Sequence, residues 1–206
     1  MENFSDILKL GLPWLELDLE FPFREMHEEA KAVRDLFVSH RYDDSAGANT
    51  HKGWNSLCIH GISSQYTNHY TSYGYKSNEE TPYKWTEISE RCPITTKFLK
   101  ETYPIEEFYR VRFMLLEAGG YILPHVDMEK NILSPVNLAL NTPKECIFKM
   151  ENDGIVPLET GKMVMLNVSN THAIWNKSSE DRYHMIIHGK QNEAFRALGK
   201  KSYEKR

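Results

Sequence analysis

Cysteine is scarce in this sequence, with three residues in 206: Cys58, Cys92 and Cys146. An odd number at such wide spacings is not the pattern of a disulfide framework, and it is not the paired spacing of a zinc finger. The cysteines therefore favour a protein that folds in a reducing compartment, and we expect it to be cytoplasmic.

Long apolar runs and an excess of charge of one sign are also lacking. No stretch approaches the roughly 18 apolar residues of a membrane span, so we expect no membrane association. We expect no secretory signal, because Glu2 and Asp6 stand where such a signal has a basic segment. Because 29 acidic and 25 basic residues give a net charge of −4, nucleic acid is not an expected partner either.

Short apolar runs separated by turn residues fill the second half of the chain. They lie at 111–116, 121–123, 136–141, 146–150, 163–168 and 182–188. Gly119-Gly120 and Asn152-Asp153-Gly154 are typical turn sequences between them. Many short strands at regular spacing predict a mainly β fold of the jelly-roll type, the cupin-like double-stranded β-helix.

Two helices are predicted before these strands. Apolar residues recur every three or four positions from Met26 to Phe37, which predicts a helix from Pro22 through about Ser39. Pro93 is placed to begin a second helix. Both would pack on the outside of the sheet and buttress it.

The segment from Ser63 to Trp85 is rich in Ser, Thr, Asn and Tyr and has no clean periodicity. Long loops in compact domains are often lids or disordered segments. We therefore consider two interpretations, a flap that covers a substrate and a segment without fixed structure.

The sequence Pro124-His125-Val126-Asp127 contains a possible metal-binding pair, because residues i and i+2 of an extended segment point to the same side. His172, after another predicted strand, would complete a set of two imidazoles and one carboxylate, the facial set of non-haem Fe(II) oxygenases. Zinc also binds such a set, and His184 and His188 compete for the place of the third ligand.

His125-x-Asp127, His172 and Arg182 resemble the Fe(II)/2-oxoglutarate-dependent dioxygenases. The segments around them, 119–127, 138–141 and 181–189, are similar to the aspartyl/asparaginyl β-hydroxylase family, which includes the free-proline cis-4-hydroxylases. This similarity covers roughly residues 108–190 and is weaker over 14–61. Vertebrate-type aspartyl hydroxylases lack the metal carboxylate that Asp127 provides here, which favours the proline-hydroxylase-like side.

The resemblance implies catalysis at His125, Asp127 and His172, with Fe(II) as the metal and 2-oxoglutarate and O₂ as cosubstrates. The expected reaction hydroxylates a free amino acid, or an amino-acid residue in a peptide or protein, and gives succinate and CO₂. We predict one dioxygenase domain over 1–206, with the metal-binding core at about 108–190 and a basic tail at about 191–206. The alternatives are a non-catalytic cupin-like metal-binding or sensing module and a zinc hydrolase.

Three residues are candidates for binding the cosubstrate. The planar guanidinium of Arg182 matches the distal carboxylate of 2-oxoglutarate, although a surface salt bridge with Glu180 or Asp181 would also explain it. His184 shares the face of Arg182 by alternation. Asn137 points inward in its predicted strand and is a candidate to bind a carboxylate.

The substrate-side candidates are fewer and less specific. Arg112 lies in an apolar strand and needs an anion, either a substrate carboxylate or an internal acidic residue. By resemblance, Trp54, Ser56 and His60 lie beside the substrate, but Trp54 also suits the core and His60 a backbone contact. Trp175 either lines the cavity or packs in the core.

Overall fold

The apolar runs form the strands of one curled antiparallel sheet in the computed structural model, which describes residues 7–9, 11–40, 51–127 and 131–206. The strands are β1 (Trp14–Glu16), β2 (Val38–Ser39), β3 (His51–Gly61), β4 (Lys84–Trp85), β5 (Ile105–His125), β6 (Val136–Ala139), β7 (Cys146–Met150), β8 (Gly154–Ile155), β9 (Met163–Leu166), β10 (His172–Asn176) and β11 (Arg182–Gln191). The α-helices are α1 (Phe23–Ala32), α2 (Ile88–Arg91), α3 (Pro93–Glu101) and α4 (Glu193–Glu204), and 3-10 turns lie at Ile7–Lys9, Arg34–Leu36 and Tyr70–Tyr73.

The strands follow the order β1-β9-β6-β11-β5-β10-β7-β8, and β3 pairs with β5 and carries β2 and β4. The sheet curls into a jelly-roll-like half-barrel, which confirms the predicted fold class. No α-helix among the described residues has the length and apolar character of a bilayer span.

The predicted turn at Gly119-Gly120 is wrong, because β5 runs through it as one strand of 21 residues. β11 pairs with the first part of β5 and β10 with its last part. Gly119 has φ +70°, and a Cβ on Gly120 would lie 2.7 Å from the carbonyl oxygen of Lys52. The two glycines therefore allow an irregularity where the partner of β5 changes, and the chain does not reverse there.

The first helix is shorter than predicted. Met26, Ala30 and Val33 are buried as expected, but α1 ends at Ala32 and a 3-10 turn follows. Val38 then pairs with Ser56 of β3. The sheet takes up the backbone hydrogen bonds of this segment, and this pairing ends the helical conformation before Ser39.

Within residues 191–206, the predicted basic tail, Glu193–Glu204 form α4. The side chain of Asn192 accepts a hydrogen bond from the N–H of Phe195 and caps the helix. Phe195 is fully buried, and the hydroxyl of Ser202 accepts a hydrogen bond from the N–H of Asp18. Burial of Phe195 anchors the helix to the domain.

The two faces of β11 divide the interior. Tyr183, Met185 and Ile187 pack in the larger hydrophobic cluster with residues of α1, α3 and α4. Arg182, His184, Ile186 and His188 alternate with them and point to the opposite, inner face. This inner face carries the polar residues of the candidate site.

Candidate functional site

His125, Asp127 and His172 converge at one end of the half-barrel. His125 ends β5 and is in register with His172, the first residue of β10. One ligand atom from each of the three residues lies within 4.8 Å of the others, and this is the one such group found among the described residues. His184 and His188, the competing third ligands, are not part of it.

The backbone fixes the tautomers of both histidines. Nδ1 of His125 donates to the carbonyl oxygen of Leu123 and Nδ1 of His172 to that of Asn170, each at 2.9 Å. Because a carbonyl oxygen only accepts, the hydrogen of a neutral ring is on Nδ1, and Nε2 is the nitrogen that remains for a metal. Such outer contacts orient histidines that bind a metal in other proteins.

Asp127 faces the Nε2 atoms of both histidines. Its carboxylate oxygens lie 3.3 Å from Nε2 of His125 and 3.6 Å from Nε2 of His172. Burial raises the pKa of Asp127, but the hydrogen-bonding and charge contacts with the two imidazoles outweigh it and hold the pKa well below the ordinary range. The Asp127 N–H donates to the carbonyl oxygen of Val168 at 3.0 Å, which anchors the residue beyond the end of β5.

Arg182 is 1% exposed, and its Nη1 and Nη2 have no hydrogen-bond partner among the described residues. The surface salt bridge considered from the sequence does not form, because the Asp181 carboxylate pairs with Arg34 at 2.9 Å instead. Burial lowers the pKa of Arg182, an effect that Cys146 partly offsets. A buried guanidinium with two unused donor groups fits an anionic ligand.

His184 adds a further unused polar atom on the same face. It is buried, and its Nδ1 has no hydrogen-bond partner in the part of the chain described. Burial first, and then the charges of Arg182 and Arg112, place the pKa of His184 well below its ordinary value, so the ring is neutral. Asn137 lies on the neighbouring strand in register with Ile186 of the inner face and is 3% exposed.

A cavity of about 950 Å³ lies next to Asp127. Arg110 and Arg112 of β5 and Ile186 and His188 of β11 form one side of it. The loop predicted between Ser63 and Trp85 supplies another wall, which contains Asn68, His69, Tyr70, Ser72, Asn78 and Tyr83. That segment therefore has a place beside the site, as the flap interpretation requires.

Two of the substrate-side candidates lie in the cavity wall. Trp54 is 8% exposed, and its ring centroid lies 6.3 Å from that of His125. Arg112 is 5% exposed; its Nη1 donates to the carbonyl oxygen of Thr67 at 2.9 Å and lies 3.3 Å from Nε2 of His40.

The other candidates point elsewhere. Nδ1 of His60 donates to the carbonyl oxygen of Tyr109 at 2.8 Å, the backbone contact considered from the sequence. Ser56 is buried, with its hydroxyl oxygen 3.0 Å from Nδ1 of His40. Trp175 lies three residues beyond His172 in β10, and alternation puts it on the opposite face of the sheet. Among the described residues, none of these three lines the cavity.

Sequence reasoning missed several residues of the cavity wall, of which Arg110, His188 and His40 are the most polar. Arg110 had a readable signal, since it precedes Arg112 by two positions and must share its face. His188 has the same relation to Ile186. His40 adjoins the polar segment 41–50, which lies outside the described residues, and no periodicity pointed to it.

The chain is similar to a known protein family in sequence and to solved structures in fold. The family model described as aspartyl/asparaginyl beta-hydroxylase matches residues 20–191, and no curated protein matches the sequence. The fold is similar to that of a Pseudomonas putida prolyl-4-hydroxylase, with 13% identity over 87% of this chain and 93% of that chain and a TM-score of 0.51. It is also similar to a Trichoplax adhaerens prolyl hydroxylase in complex with a hypoxia inducible factor oxygen degradation domain peptide fragment, with 11% identity over 90% and 86% and a TM-score of 0.52.

Proposed function

Because this chain belongs to the aspartyl/asparaginyl β-hydroxylase family of 2-oxoglutarate-dependent oxygenases, we propose that it hydroxylates an amino acid or an amino-acid residue of a peptide or protein. The observation that carries the proposal is the convergence of His125, Asp127 and His172 within 4.8 Å. The chain acts in this proposal as one dioxygenase domain in the cytoplasm.

The three residues would hold Fe(II) through the two Nε2 atoms and the carboxylate. In their neutral forms both histidines would present the lone pairs of Nε2 without any change of tautomer, and Asp127 stays ionised. The donor set of two nitrogens and one oxygen leaves coordination positions for ligands other than protein. Fe(II) bound there supplies, with 2-oxoglutarate and O₂, the oxidation of a C–H bond to an alcohol, with succinate and CO₂ as coproducts.

Arg182 would bind the distal carboxylate of 2-oxoglutarate. Its two unused Nη groups suit a bidentate pair with a carboxylate, and neutral His184 can donate one further hydrogen bond from the same face. Asn137, in register with Ile186, is the third group on this wall. A carboxylate at this position would satisfy the buried donors that no described residue satisfies.

Within the family, we propose that the chain belongs on the side of the free-proline cis-4-hydroxylases. Asp127 supports it, and so does Arg112, which lines the cavity and can pair with a substrate carboxylate there. Trp54 would give the substrate a flat apolar surface beside His125.

The test is succinate formation from 2-oxoglutarate with Fe(II) and O₂, measured against free amino acids and short peptides. Mass spectrometry should detect the gain of one oxygen atom in one class of substrate, in step with succinate. An enzyme that forms no succinate with any of them, and that binds neither iron nor 2-oxoglutarate, would contradict the proposal.

A further inference from the structure

The cavity beside Asp127 contains two neighbouring arginines of one strand. Arg110 and Arg112 share the inner face of β5 and both line the cavity. Nη1 of Arg110 and Nη1 of Arg112 donate to the same carbonyl oxygen, that of Thr67, at 3.1 and 2.9 Å. One carbonyl of the loop therefore fixes both guanidinium groups in the same wall.

Arg110 has donors to spare. A guanidinium carries five N–H donors, and the contact with Thr67 uses one of them. Burial lowers the pKa of Arg110, while the nearby Cys58, Tyr83, Tyr73 and Asp127 act in the opposite direction. Two guanidinium groups held this close repel each other, and anionic groups in the cavity would relieve the repulsion.

His188 and His69 of the wall add no positive charge at neutral pH. Burial, followed by the charges of Arg110 and Arg112, places the pKa of His188 well below its ordinary value. The same causes lower the pKa of His69. Arg110 and Arg112 therefore give the described lining of the cavity two positive charges against the one negative charge of Asp127, and the neutral imidazoles of His69 and His188 remain available as hydrogen-bond partners.

We propose that the substrate is a short diacid, with one acidic group at Arg112 and a second at Arg110. Because the Nη1 atoms of both arginines lie 3.1 and 2.9 Å from one carbonyl oxygen, the two guanidinium groups are close enough for a short diacid to span them. Each guanidinium offers a planar edge that matches a carboxylate or a phosphate. This inference rests on the proposed function, because it names the class of substrate that the same site takes.

The experiment is a calorimetric titration of the protein with matched ligands. Zn(II) and 2-oxoglutarate are present, so that binding is measured without turnover. L-aspartate is compared with L-asparagine, and L-glutamate with L-glutamine, since each pair differs in one acidic group. O-phospho-L-serine distinguishes a phosphate from a carboxylate as the second group. The variants are Arg110→Gln, Arg110→Lys and, as a matched control, Arg91→Gln, which replaces an exposed arginine of α2.

We expect one of the diacids to bind about 10- to 100-fold more tightly than its neutral partner. Arg110→Gln should remove this preference, and unchanged binding of 2-oxoglutarate would show that the variant is folded. Arg110→Lys should restore part of the preference, and Arg91→Gln should retain all of it.

Three outcomes would overturn the proposal. Equal binding of acid and amide would mean that no second acidic group is recognised, and a preference that survives Arg110→Gln would place it elsewhere. If Arg110→Gln instead weakened 2-oxoglutarate, the arginine would serve the cosubstrate. Because the titration measures binding alone, a protein that binds a diacid but forms no succinate would contradict the proposed function and leave this inference standing.

Discussion

Arg182→Met tests the cosubstrate site, because it should weaken the binding of 2-oxoglutarate and at the same time raise the stability of the protein without this ligand. The side chain is 1% exposed, and both terminal nitrogens lack a partner among the described residues. Methionine is unbranched, adapts to irregular space and brings no charge. The substitution should therefore remove the binding group for 2-oxoglutarate while it also removes a costly buried charge.

The size of each effect follows from the two unused donors. A hydrogen bond to a charged group is worth about 1.5–3 kcal/mol, so losing two should raise the dissociation constant of 2-oxoglutarate at least about 100-fold. Replacing a buried charge by an apolar side chain is often stabilising, by about 1–4 kcal/mol. In a chain of this size each kcal/mol shifts the Tm by roughly 2–4 °C, so the variant alone should melt at a higher temperature.

The assay is thermal unfolding with Zn(II), with and without 2-oxoglutarate. At 100 times its dissociation constant, 2-oxoglutarate stabilises the wild type by about 2.7 kcal/mol, and the variant should show no such shift. Arg34→Met is the matched control. Arg34 is half exposed and pairs with Asp181, and exposed pairs contribute about 1 kcal/mol or less.

A different pattern would refute the reasoning. If Arg182→Met melted at a lower temperature and kept the full shift with 2-oxoglutarate, Arg182 would be a structural residue and the cosubstrate would bind elsewhere. If Arg34→Met lost the shift as well, the effect would be a general response to a removed charge.

Three further predictions concern the metal, the strand irregularity and the buried histidines. Asp127→Ala should abolish hydroxylation and iron binding in a metal titration, while the Tm of the metal-free protein should not fall; unchanged iron affinity would contradict the site. Gly120→Ala should destabilise the protein by about 2 kcal/mol or more in urea unfolding, since its Cβ would meet the Lys52 carbonyl oxygen at 2.7 Å. Gly11→Ala is the control: it has nothing within 4 Å, and its φ of +68° alone should cost about 1 kcal/mol. The pKa of His184 is depressed on folding, so the neutral ring costs the fold nothing above the unfolded value of 6.5. Below that pH the free energy of unfolding falls by up to about 1.4 kcal/mol per pH unit, because the unfolded state binds a proton that the fold does not. In chelator-treated protein His184→Gln should flatten this decline, and an unchanged slope would show that the ring is charged in the fold.

The strands and the metal ligands were readable because alternation and turn chemistry act locally. The run Cys146–Met150 forms β7 with the predicted bounds, and His125 and Asp127 come together with His172 at the end of two neighbouring strands. The alternation that puts His184 on the face of Arg182 also holds. In each case the side chain needs only its own strand and one neighbour to find its place.

The errors arose where distant contacts decide the local conformation. Gly119-Gly120 has the composition of a turn, but positive φ and close backbone approach also serve a strand irregularity, and only the pairing with β3, β10 and β11 distinguishes the two. The end of α1 depends on the pairing of Val38 with Ser56. His60 and Trp175 were plausible as cavity residues by position, but His60 donates to the carbonyl oxygen of Tyr109 and Trp175 lies on the face of β10 opposite to His172.

Two asparagines, the half-buried Asn141 and the buried Asn176, hold the backbone on either side of Arg182. The side-chain oxygen of Asn141 accepts a hydrogen bond from the N–H of Tyr183, and its amide donates to the carbonyl oxygen of Asp181. Asn176 donates to the carbonyl oxygens of Leu116 and Glu180 on the other side of the turn. These contacts hold the start of β11 on both flanks of Arg182.

The contacts of Asn141 and Asn176 are important because a strand that slips by one residue exchanges its two faces. A slip of β11 would turn Arg182 and His184 toward the helices and bring Tyr183 and Met185 into the site. The asparagine contacts oppose it at the first residues of the strand, before any ligand is bound. The unused donors of Arg182 are thus held in place in advance, so that little of the binding energy of an anion is needed to order them.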